Sequence, residues 1–188
     1  MIQENTSFGT LAAGEVDCLM PAILNQNYSG NPQGVRNTGC ALCCDINLAS
    51  FKKGKKYTLA DFAGHYTEGS SNNSAYVYYN WTAPDGVAFT SAISLASMTE
   101  AKTIQRIRDY VNKGIPVACH AVGGGNEHWF VAYHADDNGG NTWETSGLYV
   151  LDPYNGDGSS YYGRTVSIVD AMSTSSVKAG IDRIRLLV

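Results

Sequence analysis

Three side chains in this sequence are of the types, and in the order, that covalent acyl chemistry needs: Cys40, His128 and Asp152. Cys40 follows Asn37-Thr38-Gly39 at the expected start of a helix. There a thiol feels the positive end of the helix macrodipole and free backbone N–H groups, both of which favour thiolate. His128 opens an apolar strand, and Asp152 stands just past the end of the next one. A carboxylate beside an imidazole holds the ring in one tautomer, which is how a general base is kept ready. The reaction such a set supports is acyl transfer through a thioester. A simpler reading competes: Cys40, Cys43 and Cys44 as small buried hydrophobes. Spacing alone leaves both open.

The elements that must hold these groups run from Gly114 to Asp157. Ile115–Ala121 and His128–His134 are rich in β-branched, aromatic and small apolar residues, and Gly147–Leu151 is short and apolar, so three strands are expected. Gly123-Gly124-Gly125-Asn126 makes a turn between the first two, and the polar segment Ala135–Ser146 separates the second from the third. Upstream, Cys40–Phe51 carries apolar or small residues at 40, 41, 43, 44, 48 and 51 and reads as a buried helix. Ser29–Gly39, with Gln33 and Arg36 inside it, reads as a polar loop. Thr58–Tyr66 has helical spacing with Thr58 as N-cap and Asp61 three residues on. Ser97–Glu100 reads as a capping box for a helix that Lys113 and Gly114 end. Residues 67–98 are irregular, and the aromatics Tyr76–Trp81 form a strand or packed loop. Arg164–Val169 and Asp182–Val188 read as further strands, with Ile184, Leu186 and Val188 alternating with Arg183 and Arg185. Helices first and sheet later argue an α+β class.

At 188 residues the chain is expected to be one domain, 1–188, with 1–17 as a leading arm. Charged residues are only 16% and the formal net charge is −4, so no electrostatic case exists for a nucleic-acid partner. No run approaches the length of a membrane span. The first residues lack a basic n-region and an apolar h-region, so no signal peptide is expected, and the compartment stays unassigned. Five cysteines, three of them within one helical turn, argue against a disulfide framework and leave at least one free thiol expected. His120, His134, Cys119 and Asp136 would have to converge to bind zinc, but they alternate across a sheet. No metal or cofactor is expected.

The order of motifs resembles papain-like cysteine peptidases, and within them the bacteriocin-processing (double-glycine leader) peptidases and their stand-alone relatives. The residues that carry the resemblance are Met20-Pro21 to Asn25-Gln26, Gly39-Cys40 with Cys44, Gly114-Ile-Pro-Val117, His128-Trp-Phe-Val131 and Val150-Leu-Asp-Pro153. It implies a papain-like fold, with a helical half carrying the nucleophile packed on an antiparallel sheet. It further implies Cys40 as nucleophile, His128 as base then acid, Asp152 as its orienter, and Gln26 with the Cys40 N–H as oxyanion donors. Ala41 stands where family members carry glycine. The longer loop after Gln26 makes Gln33 a rival oxyanion donor, and the Cys40-x-x-Cys43 spacing makes Cys43 a rival nucleophile.

The substrate expected on this reading is a peptide or isopeptide bond of cell-wall peptides, peptidoglycan or pseudomurein, cut by a phage-type lytic enzyme. Its rivals are transfer to an amine, as in transglutaminase-like proteins, and an inactive peptide-binding module on the same fold.

Overall fold

Residues 25–68, 75–77, 84–86, 92–154, 163–177 and 180–186 are described by the structure, a computed structural model. The expected leading arm 1–17, the apolar run from Cys18 to Leu24 and most of the stretch 67–98, Trp81 included, lie outside those residues.

The first departure from the sequence reading comes before the cysteines. Gln33–Thr38 is a short helix, α1, not a loop. Pro32 precedes it, where a missing N–H costs nothing. On its exposed face Gln33 donates to Asn37 at 2.8 Å and accepts from Arg36. The Gly39 N–H closes α1 on the Val35 carbonyl at 2.8 Å, and the Gly39 carbonyl accepts the Cys43 N–H at 2.9 Å to open the next helix, α2 (Cys40–Lys53). A Cβ on Gly39 would stand 2.4 Å from the Val35 carbonyl oxygen, so only glycine lets the two helices meet this closely.

Helix α2 is the expected buried helix. Leu42, Cys43, Cys44, Ile46, Leu48 and Ala49 are all wholly buried, as befits a helix apolar on nearly every side. It stops at Gly54, whose left-handed φ of 58° a glycine adopts without strain, with Lys52 and Lys53 at its negative end. Beyond it, the Thr58–Asp61 box forms, with Asp61 accepting both the N–H and the hydroxyl of Thr58 at 2.8 Å. It caps only a single 3₁₀ turn, Ala60–Phe62, because the chain turns extended at Tyr66. Tyr66–Glu68 (β1) pairs antiparallel with Ala75–Val77 (β2).

A six-stranded antiparallel sheet in the order β3-β8-β4-β5-β6-β7 makes the rest. Its strands are β3 (Ile93–Ser94), β4 (Val117–Gly123), β5 (Asn126–Ala135), β6 (Leu148–Asp152), β7 (Arg164–Ser167) and β8 (Gly180–Arg185). Between β3 and β4 runs α3 (Glu100–Val111), capped by Thr99, whose hydroxyl accepts the Lys102 N–H at 3.4 Å; Ser97 does not cap it. The segment expected as one strand, Arg164–Val169, divides at Ser167. Its hydroxyl accepts the Asp170 N–H and starts a second helix, α4 (Ile168–Thr174). Alternation along β5 sorts the core into two layers. Phe130 and Ala132 pack with Ile104, Ile107 and Val111 of α3 and with Ile168 and Ala171 of α4. Trp129, Val131 and Tyr133 pack with Cys40, Cys44 and Leu48 of α2. The class is therefore α+β, an open antiparallel sheet with helices against it. No helix among the described residues is long and apolar enough to cross a membrane.

Arg185 corrects the expected alternation on β8. It is 2% exposed and bonds Asp45 of α2 at 3.3 Å, while its guanidinium lies 4.6 Å from the Trp129 ring centroid. Asp45, 1% exposed, also bonds His65 Nε2 at 2.9 Å. Removing one side of a buried ion pair strands the other charge, at a cost of about 3–5 kcal/mol. Asp45→Ala should therefore lower folding stability by roughly that amount in urea titrations; a loss below about 1 kcal/mol, the size of an exposed pair, would contradict the anchoring role.

Candidate active site

Two turns and a sheet register bring the sequence-derived residues together. Gly124 and Gly125, at φ 57° and 82°, turn β4 into β5 and set His128 opposite Ala121. On the other side β5 pairs β6 with Val131 across from Leu151, so extending that register puts Asp152 across from Phe130. His128 is then its diagonal neighbour on the same face, within reach of a ring and a carboxylate. Asp152 is the last residue of β6, not one past its end. The His128 Nε2 lies 2.8 Å from Asp152 Oδ1, with the ring 5% exposed and the carboxylate wholly buried.

Cys40 is the first residue of α2, and its thiol lies close enough to the His128 ring to act on that ring's titration. It packs in the cluster that holds Trp129 and Leu151, the chain neighbours of His128 and Asp152. Because Nε2 is committed to the carboxylate, Nδ1 is the ring nitrogen left to exchange a proton with sulfur. Burial opposes charge on this ring, but its interactions with Asp152 and Cys40 outweigh burial and push it up to about 9. The ring thus stays protonated through neutral pH.

The other described thiols have no such partner. Cys43 and Cys44 are wholly buried, and desolvation first, then the charge at Cys40, pushes both far up. Cys119, buried on β4, is pushed up to about 12 by desolvation. Among the described cysteines all are free thiols, and Cys40 is the one in contact with His128.

Gln26 is 4% exposed and tied to the same corner: its N–H bonds the Pro153 carbonyl at 2.9 Å. Its side-chain Nε2 donates to the Arg36 carbonyl at 3.2 Å, one turn ahead of Cys40, and Asn31 Nδ2 holds its backbone carbonyl at 3.1 Å. An amide has two N–H donors, so one remains. The α2 ladder begins at the Cys43 N–H, which leaves the amides of Cys40, Ala41 and Leu42 outside it. Gln33 is on the exposed face of α1, engaged by Asn37 and Arg36.

Sequence reasoning missed Arg164. It opens β7 directly opposite Asp152, and its Nε and Nη2 donate to Asp152 Oδ2 at 3.0 and 2.8 Å. The Tyr154 N–H donates to Asp152 Oδ1 at 2.8 Å. An arginine at the head of a strand two turns past an aspartate carries no motif; only the β6–β7 register pairs them. His120 and His134 are elsewhere: His120 lies between Asp182 (2.6 Å) and Glu127 (3.2 Å), and His134 is 3.4 Å from Asp136. The Ala135–Ser146 segment is held by Arg108, which donates to the Gly140 and Ser146 carbonyls. No protein-family model, curated protein or solved structure matches the chain.

Two outcomes follow from this geometry. Brief iodoacetamide treatment of the folded protein at neutral pH should place its adduct on Cys40 and leave Cys43, Cys44 and Cys119 unmodified, read by peptide mass spectrometry. The second concerns pH. A ring raised from 6.5 to about 9 in the folded state contributes stability that is complete below about 6.5 and lost as pH rises through about 9. The urea midpoint of the wild type should fall across that window more than that of His128→Asn; equal slopes would refute the assignment.

Proposed function

We propose that this chain is a cysteine peptidase of papain-like architecture that hydrolyses peptide or isopeptide bonds through a thioester. The observation that carries the reading is one buried ring, His128, hydrogen-bonded to the Asp152 carboxylate and influenced by the thiol at the start of α2. Cys40 sulfur attacks the scissile carbonyl carbon, and the C–N bond breaks as His128 passes its Nδ1 proton to the leaving amine. Water then attacks the thioester with His128 as base, the C–S bond breaks, and the acid leaves. Asp152 keeps Nε2 protonated and the ring oriented throughout. The oxyanion at each step sits against the Cys40 N–H at the positive end of α2 and the second side-chain N–H of Gln26. Gln26 is preferred to Gln33 because it is buried beside the Asp152 corner, whereas Gln33 is exposed. Cys40 is preferred to Cys43 because desolvation keeps the Cys43 thiol protonated and away from the ring.

The substrate class we propose is a stem or bridge peptide of a cell wall, supported by the Gly-, Asn-, Ser-, Thr- and Tyr-rich, charge-poor composition. Purified walls should lose turbidity and gain free amino ends without new reducing sugar. A new isopeptide bond in place of free amino ends would move the reaction to amine transfer, and digestion of casein with intact walls would remove the wall substrate.

On the cleaved peptide, Cys40→Ala should abolish turnover while thermal stability stays near wild type. His128→Ala should lose on the order of 10³-fold or more in kcat, as members of one unit do. Asp152→Asn should lose less, and Gln26→Ala roughly 10²–10³-fold, the usual cost of one oxyanion donor. Activity in Cys40→Ala with none in Cys43→Ala would transfer the nucleophile to Cys43.

A further inference from the structure

We infer that Arg164 is a positioning residue for the His128 ring, acting through Asp152, so that the working unit has four members and not three. The inference rests on the peptidase reading for its kinetic consequence only; its geometric part stands without it.

Asp152 is wholly buried, and a buried carboxylate must have its lone pairs filled or take up a proton. Here the filling is divided between its oxygens. Oδ1 accepts from His128 Nε2 and from the Tyr154 N–H, both at 2.8 Å. Oδ2 accepts the fork of Arg164, Nε at 3.0 Å and Nη2 at 2.8 Å. Both N–H bonds converge on Oδ2, so the carboxylate cannot turn about its Cβ–Cγ bond without carrying Oδ2 away from both donors. That rotation is the motion that would carry Oδ1 off the ring. The arginine can only donate, so it uses the carboxylate as an acceptor, and the hydrogen between the carboxylate and the ring resides on Nε2. Arg164 thereby decides which nitrogen of His128 faces sulfur with an exchangeable proton. The β6–β7 register supplies the geometry, since Asp152 and Arg164 are direct antiparallel partners. Among the described residues, the groups facing His128 are Cys40 from α2, Asp152 from β6, and the rings of Phe130 and Tyr154, and Arg164 bonds the carboxylate that bonds the ring.

Without Arg164 two things change in opposite parts of the site. Oδ2 becomes a buried acceptor lacking its donors, and the carboxylate is free to turn. The ring meanwhile feels an uncompensated negative charge, which favours its protonated form.

The test uses the full chain labelled with ¹⁵N-histidine. Ring ¹H–¹⁵N spectra are followed from neutral pH until His128 is neutral, with His128→Asn assigning the signal. In wild type the neutral ring should hold its proton on Nε2. In Arg164→Gln the neutral ring should become a mixture of tautomers and its titration midpoint should move upward. Arg164→Lys, which keeps the charge with a single donor, should restore the midpoint and part of the tautomer bias. If Arg164→Gln does not fold, the Lys variant alone must show a mixed tautomer. In an Asp152→Asn background, replacing Arg164 should alter neither readout. Where peptide turnover is measurable, Arg164→Gln should lower kcat by about 10-fold with KM little changed, the pattern of an interaction that acts in the transition state. A folded Arg164→Gln or Arg164→Lys with the wild-type tautomer and midpoint would overturn the inference and mark the arginine as structural. A wild type that cleaves no peptide would instead remove the peptidase reading and leave the ring result standing.

Discussion

The structure is arranged around a charge that water cannot reach. The Asp152 carboxylate is wholly buried, and an isolated carboxylate in such a place would be neutralised. Its oxygens are filled instead by partners from separate pieces of chain: His128 from β5, Arg164 from β7 and the backbone beyond β6. Each of those pieces is placed by the sheet register. A slip of one residue in either strand pairing would turn the partner to the other face, since side chains alternate along a strand. The demand of one buried ion for donors and the register of three strands therefore specify each other.

A second buried ion, Asp45, does the same for the helix. Asp45 ties α2 to Arg185 of β8 and to His65, and Arg185 in turn covers the Trp129 ring next to His128. Cys40 is the first residue of that helix, with Gly39 packed too closely on Val35 to carry any side chain. The thiol is thus held from one side by the helix anchor, and the imidazole from the other by the carboxylate. Close positioning of this kind depends on rigid elements, and both partners here sit near the ends of such elements. Burial opposes charge on that ring, but its interactions with Asp152 and Cys40 outweigh burial and raise it to about 9.

The same logic explains why only one of the clustered cysteines is in reach of the histidine. Cys43 and Cys44 lie a turn deeper in α2, where no polar partner offsets desolvation. Cys40 sits where the helix has not yet closed its own hydrogen bonds. One turn of helix separates an inert core thiol from one that can exchange a proton.

What the sequence determined by itself were features set by neighbours along the chain. The buried run of α2, the Gly-Gly turn between β4 and β5, the strand that carries His128 and the one that ends in Asp152 all follow from local periodicity and turn chemistry. The proximity of His128 and Asp152 was an expectation from sequential strands, which commonly pair, and the β5–β6 register supplies it. The α1 helix escaped notice because its polar, Asn- and Gly-rich composition matches a loop, and the contact that makes it necessary is Gly39 against Val35. Arg185 read as an outward residue because its partner, Asp45, is 140 residues away. Arg164 was silent for the same reason at shorter range, since nothing in its own segment announces a carboxylate across the sheet. Nor does spacing rank Cys40 above Cys43; both fit a helix facing a sheet. Tertiary structure alone decided these, because burial and pairing are properties of what folds back onto a residue, and the free energy of a buried charge depends on partners that local sequence does not contain.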